Sequence, residues 1–318
     1  MIKFLKVLLI APFIGFFLFD PALPAGNRGP REELSARRGR PSDYEVSEDD
    51  MVVTFIDVGQ GNAVLVEAPS GKTLLYDAGG RPEWMTSSWD PGMEIVVPFL
   101  RELGIERIDY AVMSHAHGDH IGGFPAVLYN FDVGEFIDPG FPHQSSLYEE
   151  LLEIVEELEI TYRVLREGDG EKIDLGEEIR VEILSPPSDH YFRGTNSDAN
   201  NSSILMRIIY GEVSFLLTGD LEERGEEYAV REHRGRLASN VLQVGHHGSH
   251  TSSTRPFLQQ VQPEVAVIPV GARNVYGHPR PEVLSNLERV GAEVYRTDQD
   301  GHVTIYTDGE VFVVETSQ

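Results

Sequence analysis

The sequence predicts a layered α/β domain across residues 51–318, and three observations carry that reading. Short β-rich runs alternate with helical patterns through the whole span, without a second linker. With 318 residues, 41% of them hydrophobic, the chain has enough apolar side chain for one large core. Several apolar runs end abruptly in Gly, Asp or His, as buried strands do where they deliver polar loops.

The elements follow in order. Lys3 and Lys6 precede a 13-residue uncharged run, 7–19, which Asp20 ends. A spanning helix needs about 20 apolar residues and a signal-peptide core about 7 to 15, so residues 1–25 read as a signal peptide, with a retained membrane anchor as the alternative. Residues 26–50 lack apolar periodicity and read as a disordered linker. Its five arginines make it a basic tether for anionic lipid or nucleic acid, or a solvated arm.

Residues 51–57, 63–67 and 73–77 read as consecutive strands joined by Gly-containing turns. The segment 145–158 places apolar residues at helical spacing behind a serine cap. Strands are expected at 179–184, 204–210 and 213–218, followed by a charged helix at 222–232. Further strands are expected at 241–244 and 265–269, then a helix at 281–290 and a closing hairpin through Asp308-Gly309.

Composition limits the chemistry. There is no cysteine, so histidine and carboxylate must do any metal binding. From residue 41 onward, 19 basic side chains face 49 acidic ones, a balance of −30. Such a field repels polyanions over a Debye length of about 8 Å at physiological salt. Arginine outnumbers lysine 22 to 4, which fits adaptation to high salt or an Arg-rich codon bias equally well.

The densest signal is Ser114-His115-Ala116-His117-Gly118-Asp119-His120, three imidazoles and a carboxylate on a loop beyond an apolar run. Alternation sends His115 and His117 to one side, and the turn brings Asp119 and His120 round from another. That arrangement suits two neighbouring metal ions, each with nitrogen and oxygen ligands. Leu217-Thr218-Gly219-Asp220 ends a strand in a carboxylate suited to bridging two cations. Gly245-His246-His247-Gly248 follows another strand. His246, the first residue after Gly245, is the expected second-site ligand, and His247 is given a neighbouring or substrate-facing place.

The spacing H-x-H-x-D-H resembles the metallo-β-lactamase superfamily, which implies a four-layer αβ/βα sandwich with two metals at one edge of the sheets. A narrower resemblance rests on the 55–63 segment FIDVGQGNA, Tyr76-Asp77-Ala78-Gly79-Gly80, Asn200-Asn201-Ser202-Ser203, Leu217–Asp220, His246–Ser249 and Asn274-Val275-Tyr276-Gly277-His278-Pro279. Together, in order from about residue 50, these are similar to the extracytoplasmic metallo-hydrolase domain of ComEC competence proteins. The resemblance implies that Asp77 braces the histidine loop, and Asp57 is assigned a similar supporting role. The long hydrophobic channel region of those proteins is absent from this chain. Asn62 stands where the family's pattern has Asp, and the superfamily's third histidine of the first site is missing, with Asn200 in the corresponding segment. Site one is then His115, His117 and Asp220 plus water, and site two Asp119, His120, Asp220 and His246; the poorer first site tolerates harder ions, so the two divalent ions are zinc or manganese.

The function these features imply is an exported, metal-dependent nuclease or phosphodiesterase acting on extracellular DNA. Its hydroxide nucleophile is generated by the metals, and a separate membrane uptake channel is a further expected partner. Asp119 takes a catalytic place beside its ligand role, and His278 is the candidate to protonate the leaving oxygen or is a structural turn histidine. Gln60, Asn200, His247, Ser249, Ser252 and Asn274 are candidate substrate contacts, though the serines and Asn274 equally suit turn caps. The alternatives are an acyl hydrolase of lactones or β-lactams, with Trp84, Met85 and Trp89 as its apolar pocket, and a non-catalytic DNA-binding module. Sparse lysine and little aromatic–basic interleaving argue against the last.

Overall fold

The computed structural model describes residues 44–80 and 89–318. The segment expected to be a signal or anchor, residues 26–43 of the linker, and Trp84 and Met85 lie outside the described residues. Among the described residues, no helix is long and apolar enough to cross a membrane. The last residues assigned to the linker already pack on the domain: Tyr210 donates to the Asp49 carbonyl at 3.0 Å, and Asp50 is buried.

Fourteen strands are formed among the described residues. They are β1 (Met51–Phe55), β2 (Val64–Glu67), β3 (Thr73–Tyr76), β4 (Arg107–Val112), β5 (Asp132–Asp138), β6 (Thr161–Val164) and β7 (Ile179–Ser185). There follow β8 (Leu205–Tyr210), β9 (Val213–Leu217), β10 (Val241–Gln243), β11 (Val265–Ile268), β12 (Glu293–Arg296), β13 (Val303–Thr307) and β14 (Phe312–Thr316). One sheet runs β14-β13-β1-β2-β3-β4-β5-β6, the other β12-β11-β10-β9-β8-β7.

The sheets bury their inner faces together. Phe55, Leu74 and Tyr76 of the first meet Phe215, Val241 and Val267 of the second in one apolar cluster. Tyr76 also crosses it to donate to the Ile204 carbonyl at 2.6 Å. Each outer face carries helices. Phe124, Leu151 and Val155 cover the first sheet, and Phe257, Leu258 and Leu287 the second. The result is the expected αβ/βα sandwich, one domain in four layers.

Local rules explain the helices. Ser145 caps Ser146–Glu157 by accepting from the Tyr148 amide, and Tyr148, Leu151, Ile154 and Val155 form its buried stripe. Pro281 opens Pro281–Val290, and Gly291, left-handed at φ 80°, closes it.

Three strands escape the sequence pattern. In β5, Asp132, Gly134 and Glu135 break the apolar run; β6 and β12 lie at sheet edges, where exposed and charged side chains are favoured. The short helices Val97–Glu102 and Arg255–Val261 were also not expected from periodicity.

β3-β4-β5-β6 run parallel, as do β9-β10-β11-β12. Parallel strands send their carboxyl ends the same way, and a ligand crevice forms beyond such ends. The loops after β3, β4, β9 and β10 therefore carry the polar clusters to one edge. Two glycines let them meet. A Cβ on Gly80 (φ 141°) would lie 2.0 Å from the Gly118 carbonyl oxygen, and one on Gly219 (φ 53°) 2.6 Å from Ser114 Cβ.

Candidate metal centre

Asp77, the residue after β3, organises the histidine loop. Its Oδ1 accepts from the Ser114 amide at 2.6 Å, and its Oδ2 takes Ser114 Oγ at 2.8 Å, Asn62 Nδ2 at 2.9 Å and His120 Nδ1 at 2.7 Å. A buried carboxylate needs such compensation. Asp77 itself sits at φ 59°, a strained backbone for a non-glycine residue.

With Nδ1 tied to Asp77, His120 turns Nε2 toward Asp220 Oδ1, 3.1 Å away. His247 is set the same way: Nδ1 donates to the Pro269 carbonyl at 2.8 Å, and Nε2 lies 3.3 Å from Asp119 Oδ2 and 3.6 Å from Asp220 Oδ1. His120 Nε2, His247 Nε2 and Asp220 Oδ1 are all buried without a hydrogen-bond partner. Buried polar atoms are otherwise paired, so three converging orphans fit a cation.

A second group lies against the other oxygen of Asp220. His115 Nε2 is 3.8 Å from Asp220 Oδ2 and 3.0 Å from His117 Nδ1, while Ser114 Oγ holds His115 Nδ1 at 3.0 Å. The possible ligand atoms of His115, His117 and Asp220 lie within 4.8 Å of one another, as do those of Asp119, His120 and His247. The split of the histidine loop between two clusters follows the expected alternation, with Asp220 between them.

His247, however, occupies the place expected for His246. Both residues are left-handed, at φ 54° and 49°, and that backbone reverses the simple order of side chains after a strand. His246 instead points Nδ1 at Glu222 Oε1, 3.0 Å away, with Nε2 3.6 Å from Asp220 Oδ2.

Electrostatics follow burial. Desolvation, then the neighbouring His120 and His117, hold His115 well below the ordinary histidine range, and burial also lowers His117. Both are neutral at pH 7 and keep a lone pair for a cation. Burial opposes charge on His120, but Asp220 and Asp77 outweigh it and raise its pKa. Burial likewise opposes ionisation of Asp119, yet the approach of His247 Nε2 and the charges of His120 and His247 bring it down to about 2.

The clusters open into a cavity of about 470 Å³. Of the expected substrate contacts, Gln60, Asn200 and His247 line it; His246, expected as a metal ligand, and His278, the expected proton donor, line it too, as do His143, Gln144 and Tyr276, which sequence reasoning missed. His143 follows the unrecognised β5, and its ring centroid is 5.3 Å from that of His117. Asn200 donates to Glu222 Oε1 at 2.8 Å, leaving its own Oδ1 buried and unpartnered.

The expected contacts Ser249, Ser252 and Asn274 do not line the cavity. Ser249 Oγ pairs with Thr251, Ser252 Oγ donates to the Leu221 carbonyl, and Asn274 ties the 271–278 loop to itself. Polar side chains after a strand are consumed by turn capping here. Asp57 supports the loop below Gln60, accepting from the Gly59 amide, while its own amide donates to His302. His278 stacks on Tyr276, with 5.7 Å between ring centroids. Burial, then His246, His247 and Arg280, push its pKa down to about 4, so at pH 7 it offers a neutral N–H rather than an imidazolium proton.

Comparison with known proteins agrees with the geometry. The family described as the metallo-beta-lactamase superfamily matches residues 56–272. The chain is 33% identical over 260 residues to ComE operon protein 3 of Bacillus subtilis (strain 168), covering 79% of this chain and 32% of that protein. It is 35% identical over 257 residues to competence protein ComA of Neisseria gonorrhoeae, covering 80% and 32%. The chain thus spans about a third of the length of these relatives. Among solved structures, CmlA, a diiron beta-hydroxylase from Streptomyces venezuelae, aligns at TM-score 0.51 and 17% identity over 81% of this chain and 54% of that one. The Bacillus subtilis fold protein YhfI aligns at 0.50 and 9% over 81% and 100%. These two likenesses are of fold alone.

Proposed function

The chain belongs to the metallo-beta-lactamase superfamily, and from that premise we propose that it is a metal-dependent phosphodiesterase that cleaves DNA. One observation carries the reading: a single buried carboxylate, Asp220, presents one oxygen to each of two clusters of histidine and aspartate on the wall of a polar cavity. Bound divalent ions supply Lewis-acid charge and lower the pKa of water to about 7.

The chain's own groups do the rest. His115, His117 and Asp220 would hold one ion, and Asp119, His120, His247 and Asp220 the other. Asp119, ionised across the working pH range, would orient the attacking water, whose proton would pass to solvent because the ions lower its pKa. Gln60, whose Nε2 is buried without a partner, His143 and neutral His278 donate hydrogen bonds to phosphate oxygens. This wall of amides and imidazoles suits an anion better than an acyl chain. Trp89, offered above as part of an apolar acyl pocket, is 40% exposed and does not line the cavity.

DNA as the phosphodiester rests on the similarity to competence proteins over 79–80% of this chain. Divalent cations held by these residues would offset the domain's negative charge where the substrate binds. The signal-like pattern of residues 1–25 supports an activity outside the cytoplasm, and a membrane DNA-uptake channel is the partner this reading proposes.

A panel of bis-p-nitrophenyl phosphate, nitrocefin and a simple lactone tests the class of reaction. The expected result is turnover of the phosphodiester alone. Turnover of nitrocefin or the lactone instead would replace the reading with acyl hydrolysis.

A further inference from the structure

The two adjacent histidines after β10 differ in what they face, and the first of them has no part in the assignment above. His246 Nε2 lies 3.6 Å from Asp220 Oδ2, the same oxygen that His115 Nε2 approaches at 3.8 Å. His247 Nε2 lies 3.6 Å from Asp220 Oδ1, the oxygen that His120 Nε2 approaches at 3.1 Å. Consecutive side chains therefore reach opposite sides of one bridging carboxylate. The paired left-handed backbone at φ 49° and 54° makes this possible. Such conformations are costly outside glycine and persist where the surroundings impose them.

A further pattern is shared by three of the four ligand histidines assigned above, the exception being His117, whose Nδ1 meets His115 Nε2 at 3.0 Å. A metal-binding imidazole fixes its second ring nitrogen on an oxygen partner, which sets the tautomer and aims the free nitrogen at the ion. His115, His120 and His247 each do this through Nδ1, on Ser114 Oγ, Asp77 Oδ2 and the Pro269 carbonyl. His246 does it too, through Nδ1 on Glu222 Oε1 at 3.0 Å. His143 and His278, by contrast, leave Nδ1 without a partner. Glu222 is in turn held by Asn200 Nδ2 at 2.8 Å, and both side chains are at least nine-tenths buried. A buried carboxylate carried at that cost has a role in aiming the imidazole.

We propose that His246 is the third histidine of the first metal site, oriented by Glu222 and Asn200, so that the His246-His247 pair serves both ions at once. The first site would then have His115, His117, His246 and Asp220 as its protein ligands. The assignment rests on the two-metal reading and refines it. It also gives Asn200 a positioning role through Glu222 in addition to its place on the cavity wall.

Metal content tests this without reference to turnover. The metal-free full chain is titrated with zinc chloride, and separately with manganese chloride, and bound ions are counted after dialysis. The wild type is expected to hold two ions. His246→Ala is expected to hold one, and that retained ion shows that its second cluster is folded. Glu222→Gln is expected to hold two at saturation, with one affinity weakened by about 10–100-fold. Two ions in His246→Ala at unchanged affinities would overturn the assignment and leave the phosphodiesterase reading standing. A wild type that holds one ion would overturn both. Should His246→Ala bind none, Glu222→Gln decides: unchanged affinity for both ions contradicts the proposal, and one weakened affinity supports it.

Discussion

His120 and Asp77 meet through a 2.7 Å contact between Nδ1 and Oδ2, with neither side chain exposed. The pair joins the end of β3 to the loop after β4, and leaves His120 only Nε2 with which to meet a cation. Four groups converge on Asp77, so its carboxylate fixes the histidine loop as a unit.

Asp77→Asn tests that coupling. The amide nitrogen would present a donor to groups that already donate, leaving at least one buried N–H unpaired. The cost is expected at about 1–3 kcal/mol of stability. Affinity for one of the two ions should fall by about 10–100-fold. Thermal unfolding and metal titration read the two effects separately, and unchanged affinity would mean that Asp77 braces the fold alone.

Asn62→Asp tests the amide that stands where the family's pattern has an acid. Asn62 is fully buried and donates to Asp77 at 2.9 Å. A carboxylate there would face another across that distance, costing about 3 kcal/mol at neutral pH. For a domain of this size the melting temperature should fall by about 6–12 °C. The loss should shrink as pH falls, because the new acid is stabilised in its protonated form. An equal or higher melting temperature at pH 7 would refute the packing argument.

Glu226 supplies a pH dependence away from the metals. Its side chain is 1% exposed and accepts from the Ser253 and Thr254 amides, tying the helix Glu223–Glu232 to the loop that follows the histidine pair. Burial raises its pKa to about 7, the hydrogen bonds from Thr254 and Ser253 only partly opposing this. The folded pKa lies above the ordinary value, so the protonated form is the stabilised one. This contribution is full below about pH 4.5 and is lost as pH rises through about 7. Its size is on the order of 3 kcal/mol. Denaturant unfolding of the metal-free protein from pH 5 to 8 should show the decline, and Glu226→Gln should flatten it. An undiminished slope in that variant would assign the decline elsewhere.

The sequence disclosed the site unevenly, for physical reasons. His115, His117, Asp119 and His120 were legible because four ligand-type residues within six positions exceed what packing requires. Asp220 was legible because an apolar strand ended in Gly-Asp. The order of His246 and His247 was not, since it depends on two positive φ angles that no residue type announces. His143 was hidden behind β5, whose charges mask its apolar alternation. Ser249, Ser252 and Asn274 misled because the same hydroxyls and amides that suit phosphate also close turns. The sandwich itself was readable from the alternation of elements, whereas the edge strands β6 and β12 were not, being too short and polar.

Metal-dependent cleavage is read most simply from DNA hydrolysis by the full chain, stripped of metal and resupplied with manganese or zinc, beside His117→Ala and Asp220→Ala. No cleavage is expected without metal, with cleavage restored by at least one of the two ions and a loss of about 100-fold or more in both variants. Two ions bound per chain with no cleavage of DNA under either metal would contradict the proposed phosphodiesterase.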